Sequence, residues 1–345
     1  MLHINIEDYK SIKNIENSIC KNKLSDKVIF ITGATGFLGF YLVHILMMLN
    51  KKLSLNNKVI VYVRNLKKAI TLFDYYYNEK NFKILEGDIT DKILIKDNID
   101  YVIHAAMVSA KLSNENVCRV YEDAIIGSKN IISLALEKKV KSIVYMSSIA
   151  VYGDIERKKL INEGYSNRQN WRNDKDAYAL GKQGAEFLLL AEKRKNNLPI
   201  KILRPGYVFG ANPIHDDRVY NSIIECAAKK ENIILYSNGM LSRSIVYVVD
   251  VVKAVILALI SDENEDYNVS GKNISLKEFA DMVAEIAKVN VLYDKKYNNY
   301  IKINNKNNIS SSKIKKKLGW DESGTTQQLI KESLEIKRYF NNSVV

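Results

Sequence analysis

A glycine-rich turn near the start of the chain restricts the fold more than any other feature of the sequence. The run KVIFITG (27–33) is apolar and β-branched, as in a strand buried on both faces of a parallel sheet. The turn GATGFLG (33–39) leads into an apolar segment that predicts a helix from about Phe37 to Asn50. Glycines allow the backbone to approach a pyrophosphate, and a helix N-terminus offers free amide groups to it. The spacing of Gly33, Gly36 and Gly39 therefore predicts a dinucleotide-binding unit, with an ordinary turn as the alternative.

Strand-like and helix-like segments continue to alternate after this unit. The alternation predicts an α/β fold with a doubly wound, Rossmann-type parallel sheet over residues 26–205. The pattern loosens after Gly206, which predicts a smaller C-terminal α/β region, 206–345, that binds substrate, with 243–260 returning to the Rossmann sheet. Residues 1–25 predict an N-terminal helical extension. Further strands are predicted at 58–64, 82–88, 99–106, 141–148, 199–205, 231–237 and 243–252, and helices at 117–138 and 176–195.

Composition and charge exclude several other classes of protein. With 47% hydrophobic and 26% charged residues, the chain is too apolar for disorder and too polar for an integral membrane protein. Its net charge of +13 comes from scattered lysines, and the densest run, 313–317, has no interleaved aromatic residues, so we expect no nucleic-acid partner. We also expect no membrane partner and, from three widely spaced cysteines, a cytoplasmic location. The four histidines lack ligand spacing, so no metal is predicted.

The end of the second strand bears on the choice of cofactor. Dinucleotide folds usually carry a carboxylate there to hold the ribose hydroxyls, but this strand ends VYVRN, with Arg64 and Asn65. Because a guanidinium suits a 2′-phosphate, the sequence favours NADP, and NAD with an ordinary exposed arginine is the alternative. Asp88, in EGDIT after the third strand, fits adenine recognition, although Gly-Asp is also common in turns.

A candidate catalytic set follows from one helix and one strand end. Tyr178 and Lys182 are four residues apart, so they share a face of the predicted helix. Ser147 and Ser148 end a parallel strand at its carboxyl edge, where sites of this architecture form. A tyrosine pKa near 10 is too high for a base at neutral pH, and a nearby ammonium group would lower it. We therefore expect Ser148 to hydrogen-bond the substrate oxygen and Tyr178 to exchange its proton.

At this point the sequence resembles the extended short-chain dehydrogenase/reductase family, in its nucleotide-sugar NAD(P)-dependent epimerase/dehydratase branch. The matching segments are TGATGFLG (32–39), GDIT (87–90), HAA (104–106), SSIAVYG (147–153), YALGKQGAE (178–186), LRPGYVFG (203–210), RSIVYVVD (243–250) and LGW (318–320). The resemblance implies catalysis by Ser148, Tyr178 and Lys182, and a nucleotide-diphosphate sugar as substrate, with Arg243 binding its diphosphate. Ser148 and Tyr207 are the other predicted substrate-binding residues. It also implies a homodimer formed through the helices at 117–138 and 176–195. The cofactor would contact Gly33, Thr35, Gly36, Phe37, Leu38, Gly39, Arg64, Asp88, Ile89, Ala105, Ala106, Tyr178, Lys182 and Pro205.

Departures from the family pattern narrow the reaction. Dehydratases of this branch carry an Asp-Glu pair after the catalytic Ser/Thr, whereas this chain has Ile149 and Ala150, which cannot move a proton. The sequence therefore favours an epimerase acting by transient hydride transfer at a sugar carbinol. An NADPH-dependent 4-ketoreductase is the alternative, ahead of a 4,6-dehydratase or a non-enzymatic sensor. Tyr207 stands where many relatives have an asparagine that contacts the sugar nucleotide, which indicates a different base or sugar.

Overall fold

The computed structural model describes residues 9–107, 117–153, 160–166, 176–214, 216, 218–294 and 308–343. Seven parallel strands form the central sheet in the order β11-β7-β5-β4-β1-β2-β3, which confirms the predicted doubly wound fold. The six strands predicted for residues 26–205 are all present, each shorter than predicted by one to four residues. The central strands are β1 (Val28–Thr32), β2 (Lys58–Val63), β3 (Phe82–Glu86), β4 (Tyr101–His104), β5 (Ser142–Met146), β7 (Ile200–Pro205) and β11 (Asp266–Val269).

Helices cover both faces of this sheet. Side chains of a strand alternate between faces, so Ile29 and Ile31 of β1 pack in one core and Phe30 packs in the other. The first core contains α3 (Phe37–Leu53), α8 (Val248–Ile260) and α11 (Thr326–Ser343), and the second contains α5 (Val117–Lys138) and α6 (Ala177–Asn196). The predicted helices at 37–50, 117–138 and 176–195 are therefore confirmed, with α3 three residues longer.

The region after Gly206 contributes smaller sheets and further helices beside the central sheet. Strand β10 lies between β8, its parallel neighbour, and β12, its antiparallel neighbour. Two parallel pairs, β13 with β9 and β14 with β6, complete the strands that the structure describes. These strands are β6 (Leu160–Ile161), β8 (Tyr207–Phe209), β9 (Ile233–Leu235), β10 (Ser242–Tyr247), β12 (Asn273–Ser275), β13 (Val291–Tyr293) and β14 (Asn308–Ile309). The remaining helices are α1 (Lys10–Ser18), α2 (Lys21–Leu24), α4 (Leu66–Leu72), α7 (Val219–Ala228), α9 (Leu276–Ala287) and α10 (Ser312–Leu318).

The N-terminal extension is helical over its described part and is fixed to the body of the protein. Ile12 and Ile15 of α1 are fully buried, and α1 packs against α8. The hydroxyl of Ser11 donates a hydrogen bond to Glu332 on α11, so the two ends of the chain meet. Residues 1–8 lie outside the described residues.

The structure corrects the expectation for residues 243–260. Their strand, β10, pairs with β8 and β12 rather than with the central sheet, and the chain turns helical at Val248, inside the predicted strand 243–252. Every residue of α8 is buried, and a helix that is apolar all round cannot be told from a buried strand by its pattern. The segment does return to the centre as this helix, which packs on β4, β5 and β7. The seventh central strand is instead β11, a short DYNV segment that we did not predict.

Candidate active site

The glycine turn lies between β1 and α3, at the carboxyl edge of the sheet. Gly33 has a φ of +73°, and a methyl group there would lie 2.6 Å from backbone atoms of Ala105 and Ala106. A methyl group on Gly39 would overlap the carbonyl oxygen of Gly33 and lie 2.6 Å from the Cα atom of Ala34. Because Gly33 and Gly39 each abut backbone, larger residues would force the turn, the helix and the end of β4 apart.

The start of α3 is open to an anion. Gly36 is its N-cap residue, with no side-chain hydrogen bond capping the first turn and no acidic residue in it. The first amide groups of a helix have no partner within the helix, and the helix dipole favours negative charge there. These features fit the pyrophosphate of a dinucleotide, which the amide groups of Phe37, Leu38 and Gly39 would hold.

The other predicted cofactor residues meet this turn at one edge of the sheet. Parallel strands present their carboxyl ends together, so the residues that follow β1, β2, β3, β4 and β7 are neighbours there. The structure therefore brings the predicted cofactor residues of all five strand ends to a single edge. By strand, these residues are Gly33, Thr35 and Gly36 (β1), Arg64 (β2), Asp88 and Ile89 (β3), Ala105 and Ala106 (β4), and Pro205 (β7).

Charged side chains form a cluster next to the ends of β2 and β3. The Arg64 guanidinium, about half exposed, lies 3.6 Å from the buried carboxylate of Asp123 on α5. Arg119, one turn earlier on α5, pairs with both Asp123 and Asp88. Asp88 also accepts hydrogen bonds from the Thr90 amide (2.9 Å) and hydroxyl (2.7 Å); these contacts and Arg119 lower its pKa to about 2 despite partial burial. Asp88 is therefore ionised at neutral pH, and sequence reasoning missed Arg119, its main charge partner.

The candidate catalytic side chains converge beyond β5. Ser148 caps the 3₁₀ turn Ile149–Tyr152 by accepting a hydrogen bond from the Ala150 amide at 3.1 Å. Its side chain also forms a hydrogen bond with the phenol of Tyr178, the second residue of α6. Lys182 lies one turn further along α6, with Nζ 6.0 Å from the centre of the Tyr178 ring. The structure therefore brings Ser148, Tyr178 and Lys182 together at this edge of the sheet.

The electrostatics of the set differ from the sequence expectation in one respect. Burial raises the pKa of Tyr178 above its usual value near 10, offset in part by the hydrogen bond from Ser148 and the charge of Arg218. Lys182 is itself buried, which lowers its pKa to about 7 against the opposing effect of Glu186. Its ammonium group donates a hydrogen bond to the carbonyl of Met146 on β5.

A buried ion pair, Glu186 with Arg204, lies close to Lys182. Glu186 is one turn beyond Lys182 on α6, and Arg204 on β7 donates to both of its carboxylate oxygens, at 2.9 and 2.7 Å. Ser147 donates to the same carboxylate, so α6 is tied to the ends of β5 and β7. Sequence reasoning did not single out this pair, although the four-residue spacing from Lys182 to Glu186 was available as a signal. Burial opposes ionisation of Arg204, but its contacts with Glu186 raise the pKa of Arg204 above its usual value.

Arg218 is a further residue that the sequence reasoning missed. Its guanidinium carbon lies 4.6 Å from the centre of the Phe37 ring, at the start of α3. Three contacts with Asp216 hold it there, among them the 2.9 Å hydrogen bond from Nε. Arg218 therefore places a positive charge at the start of α3, and this charge also lowers the pKa of Tyr178.

His104 is a structural residue in this arrangement. Its Nδ1 lies 2.9 Å from the Thr32 hydroxyl, which joins the ends of β4 and β1, and the Ala106 amide donates to the same hydroxyl at 3.2 Å. Burial lowers the pKa of His104 to about 3, so the ring is neutral. No cluster suited to a metal ion occurs among the residues that the structure describes.

The substrate-side residues lie on the small sheet. Tyr207 begins β8, two residues after the end of β7, and the guanidinium carbon of Arg243 on β10 lies 5.5 Å from its ring centre. The Tyr207 ring also meets Tyr220 on α7 at 6.1 Å and 66°. Tyr207 and Arg243 are thus brought together near the edge that carries Ser148.

A parallel sheet, a glycine turn at an uncapped helix and a Ser–Tyr–Lys set at one edge define a class of dinucleotide-dependent enzymes that act on an alcohol or carbonyl carbon. The chain belongs to the NAD dependent epimerase/dehydratase family, whose pattern it matches over residues 29–270. This match confirms the family resemblance and the interpretation as an enzyme.

Named relatives within this family catalyse different reactions. The chain is 27% identical over 281 residues to a dTDP-D-glucose 4,6-dehydratase of Dictyostelium discoideum; the match covers 74% of this chain and 62%, less than two thirds, of that protein. It is 27% identical over 274 residues to UDP-glucuronic acid decarboxylase 6 of Arabidopsis thaliana, covering 77% of this chain and 76% of that protein. Family membership therefore leaves the particular reaction open.

Solved structures support the fold. The UDP-glucuronic acid 4-epimerase of Bacillus cereus, solved with UDP-glucuronic acid and NAD, superposes with a TM-score of 0.75 and 18% identity. The superposition covers 92% of this chain and all of that chain. Over the residues that the structure describes, no helix has the length and apolar character needed to cross a bilayer.

Proposed function

We propose that this protein is an NAD(P)-dependent nucleotide-sugar epimerase that oxidises and re-reduces a sugar carbinol. The observation that carries the proposal is the hydrogen-bonded pair Ser148–Tyr178 at the carboxyl edge, followed by two residues, Ile149 and Ala150, that cannot ionise. An epimerase needs one proton-exchanging group at the reacting oxygen and no second acid–base pair. A dehydratase of this family would need such a pair to remove water from the sugar.

The chain's own residues perform the binding and proton steps of this proposal. Ser148 and Tyr178 would both hydrogen-bond the reacting sugar oxygen, and the phenol oxygen of Tyr178 would take its proton and later return it. Lys182 stays close to Tyr178 and, when protonated, stabilises the phenolate. The dinucleotide, when bound, supplies reversible exchange of a hydride with the sugar carbon. Arg218 adds a second positive charge that favours the phenolate.

Arg64 favours a second candidate, an NADPH-dependent ketoreductase. Its half-exposed guanidinium stands at the end of β2, 3.6 Å from Asp123, and this separation is too long for a tight hydrogen bond. The side chain is therefore available for a 2′-phosphate, which supports NADP over NAD. A ketoreductase consumes NADPH in each turnover, whereas an epimerase restores its cofactor.

We further propose that the protein forms a homodimer in the cytoplasm and acts in polysaccharide precursor synthesis. On α5 and α6 several apolar side chains are exposed, with Phe187 at 72% and Tyr121 at 48%, and a matching face of a second copy would cover them. Cys20, Cys118 and Cys226 are all free thiols, which fits a reducing compartment.

The first experiment combines release of the cofactor with turnover of a substrate panel. Mass spectrometry of the denatured, freshly purified protein should detect bound NAD or NADP close to one per chain. The panel contains UDP-glucose, UDP-galactose, UDP-glucuronic acid and dTDP-glucose, and proton NMR should reveal inversion at one sugar carbon without loss of water or carbon dioxide. A Tyr178→Phe variant should lose turnover by at least about 100-fold, in line with the usual contribution of a positioned acid–base group. Tyr77→Phe, at an exposed tyrosine, is the matched control.

The outcomes separate the candidates. A protein that holds no dinucleotide but oxidises added NADPH with a 4-keto sugar would replace the epimerase proposal with the ketoreductase. Full turnover by the Tyr178→Phe variant would reject the proposed mechanism in either case.

A further inference from the structure

Tyr207 and Arg243 face the same side of the parallel pair β8 and β10. Tyr207 lies opposite Ile245 in the register of β8 and β10. Arg243 is two residues before Ile245 on β10, so the side chains of Arg243 and Ile245 project from the same face. The 5.5 Å separation of the Arg243 guanidinium carbon from the Tyr207 ring centre is within the range of a cation–π contact.

The ring of Tyr207 is supported from the protein interior. It packs against Tyr220, and Tyr220 meets the fully buried Phe279 edge-on at 4.9 Å and 86°. The charge of Arg243 also acts on Tyr220, where it opposes the rise in pKa caused by burial. Tyr207 itself is 42% exposed. Its ring is therefore supported on one side by Tyr220 while part of it remains exposed.

Arg243 carries a charge without a close anionic partner among the described residues. No carboxylate of the described residues lies within 4.0 Å of the Arg243 guanidinium. The guanidinium donates a long hydrogen bond, 3.4 Å, to the carbonyl of Ser242. A guanidinium stacked on an aromatic ring keeps its N–H donors in the plane, directed away from the ring. In that orientation two parallel N–H groups can bind two oxygens of a phosphate.

We propose that Tyr207 is a positioning residue that fixes the plane of the Arg243 guanidinium for the diphosphate of the substrate. This inference rests on the proposed nucleotide-sugar function and adds to it a residue, Tyr207, that orients Arg243. Recognition at this position therefore depends on the orientation of Arg243 rather than on a hydrogen bond from residue 207.

The test compares binding of UDP and UMP, and of dTDP and dTMP, by calorimetry. The wild-type protein should bind at least one diphosphate about tenfold or more tightly than its monophosphate, as expected for charge-assisted hydrogen bonds. Tyr207→Leu should lower that ratio about three- to tenfold, the effect of losing a cation–π contact, while monophosphate binding changes little. Tyr207→Phe keeps the ring and should keep the ratio. Tyr293→Leu, at a tyrosine of similar exposure (41%), is the matched control.

Kinetics provide a second measurement once a substrate is known. Tyr207→Leu should raise KM for the nucleotide sugar by more than it lowers kcat, and thermal midpoints should show that the variant is folded. A Tyr207→Leu protein with the wild-type diphosphate preference, or one that loses both nucleotides equally, would overturn the inference while leaving the proposed function standing. A wild-type protein that prefers neither UDP nor dTDP over its monophosphate would reject the inference and the nucleotide-sugar proposal together.

Discussion

Alanine substitutions at two glycines of the cofactor turn should have different effects, because the two positions have different neighbours. The added methyl group of Gly39→Ala would overlap the Gly33 carbonyl oxygen, and relief requires the first turn of α3 to move away from the loop. At Gly36 the nearest atom, again the Gly33 oxygen, is 3.3 Å from the new methyl group, and the φ of −84° suits alanine. Gly39→Ala should therefore destabilise the cofactor-free protein, and Gly36→Ala should not.

The size of the effect follows from the contacts. Overpacking against rigid backbone costs about 3 kcal/mol at the upper end of its usual range, and replacing glycine by alanine in a helix returns about 1 kcal/mol. The net loss at Gly39 is about 2 kcal/mol. For 345 residues the entropy of unfolding is about 0.7 kcal/mol per kelvin, so the thermal midpoint should fall by about 3 °C. Gly36→Ala should stay within about 1 °C of the wild type.

The assay is thermal unfolding of protein stripped of cofactor, with and without added dinucleotide. At a concentration 100 times Kd the wild type should gain about 2.7 kcal/mol, or about 4 °C. If Gly36→Ala weakens binding tenfold by crowding the pyrophosphate, its gain at the same concentration should be about 2 °C. A wild-type midpoint for Gly39→Ala would refute the overlap argument. An undiminished gain for Gly36→Ala would refute the placement of the pyrophosphate.

Three further predictions concern other parts of the molecule. Arg64→Leu should weaken NADPH binding about tenfold and leave NADH binding unchanged; equal losses in a fluorescence titration would contradict the role given to Arg64. Phe187→Glu should convert the proposed dimer to monomer in sedimentation, whereas Leu94→Glu, at an exposed residue (79%) elsewhere, should not; a monomeric wild type would reject the dimer. Burial raises the pKa of Asp250 to about 7, so the folded protein keeps a proton that the unfolded chain loses near 3.8, and stability should fall as pH rises between these values. Asp250→Asn should flatten this dependence in midpoints measured from pH 4 to pH 8, and an unchanged slope would show that other groups cause it.

Much of the fold could be predicted because its determinants are local in the sequence. A buried parallel strand is a short apolar run and a helix has a fixed repeat, so the six strands before Gly206 and the helices α3, α5 and α6 were found within a few residues. Strand β11 was missed because DYNV begins with a charged residue and has no apolar run. Its place in the sheet depends on β7, a neighbour more than 60 residues away.

The same contrast between local and tertiary determinants applies to the residues of the candidate site. Tyr178, Lys182 and Ser148 were found because helix periodicity and strand ends bring them together. The contacts of Lys182 could not be predicted, since its hydrogen bond to Met146 and its burial depend on tertiary packing. Burial also raises the pKa of Tyr178, whereas the sequence led us to expect a lowered one. Arg218 had no local signal at all.

Strand β11 has a consequence for how the chain can be made and divided. Its Asp266 pairs with Arg204 on β7 at 3.0 Å, and its Asn268 accepts a hydrogen bond from the Tyr152 hydroxyl at 2.6 Å. A fragment ending at residue 205 would leave the backbone of β7 unpaired along one side, and such an edge can pair with other chains. During synthesis, residues 206–269 take roughly 3 to 13 s to appear at about 5–20 residues per second. For those seconds the nascent sheet is open at the strand that carries Arg204, so its final strand closes only after most of the chain has been made.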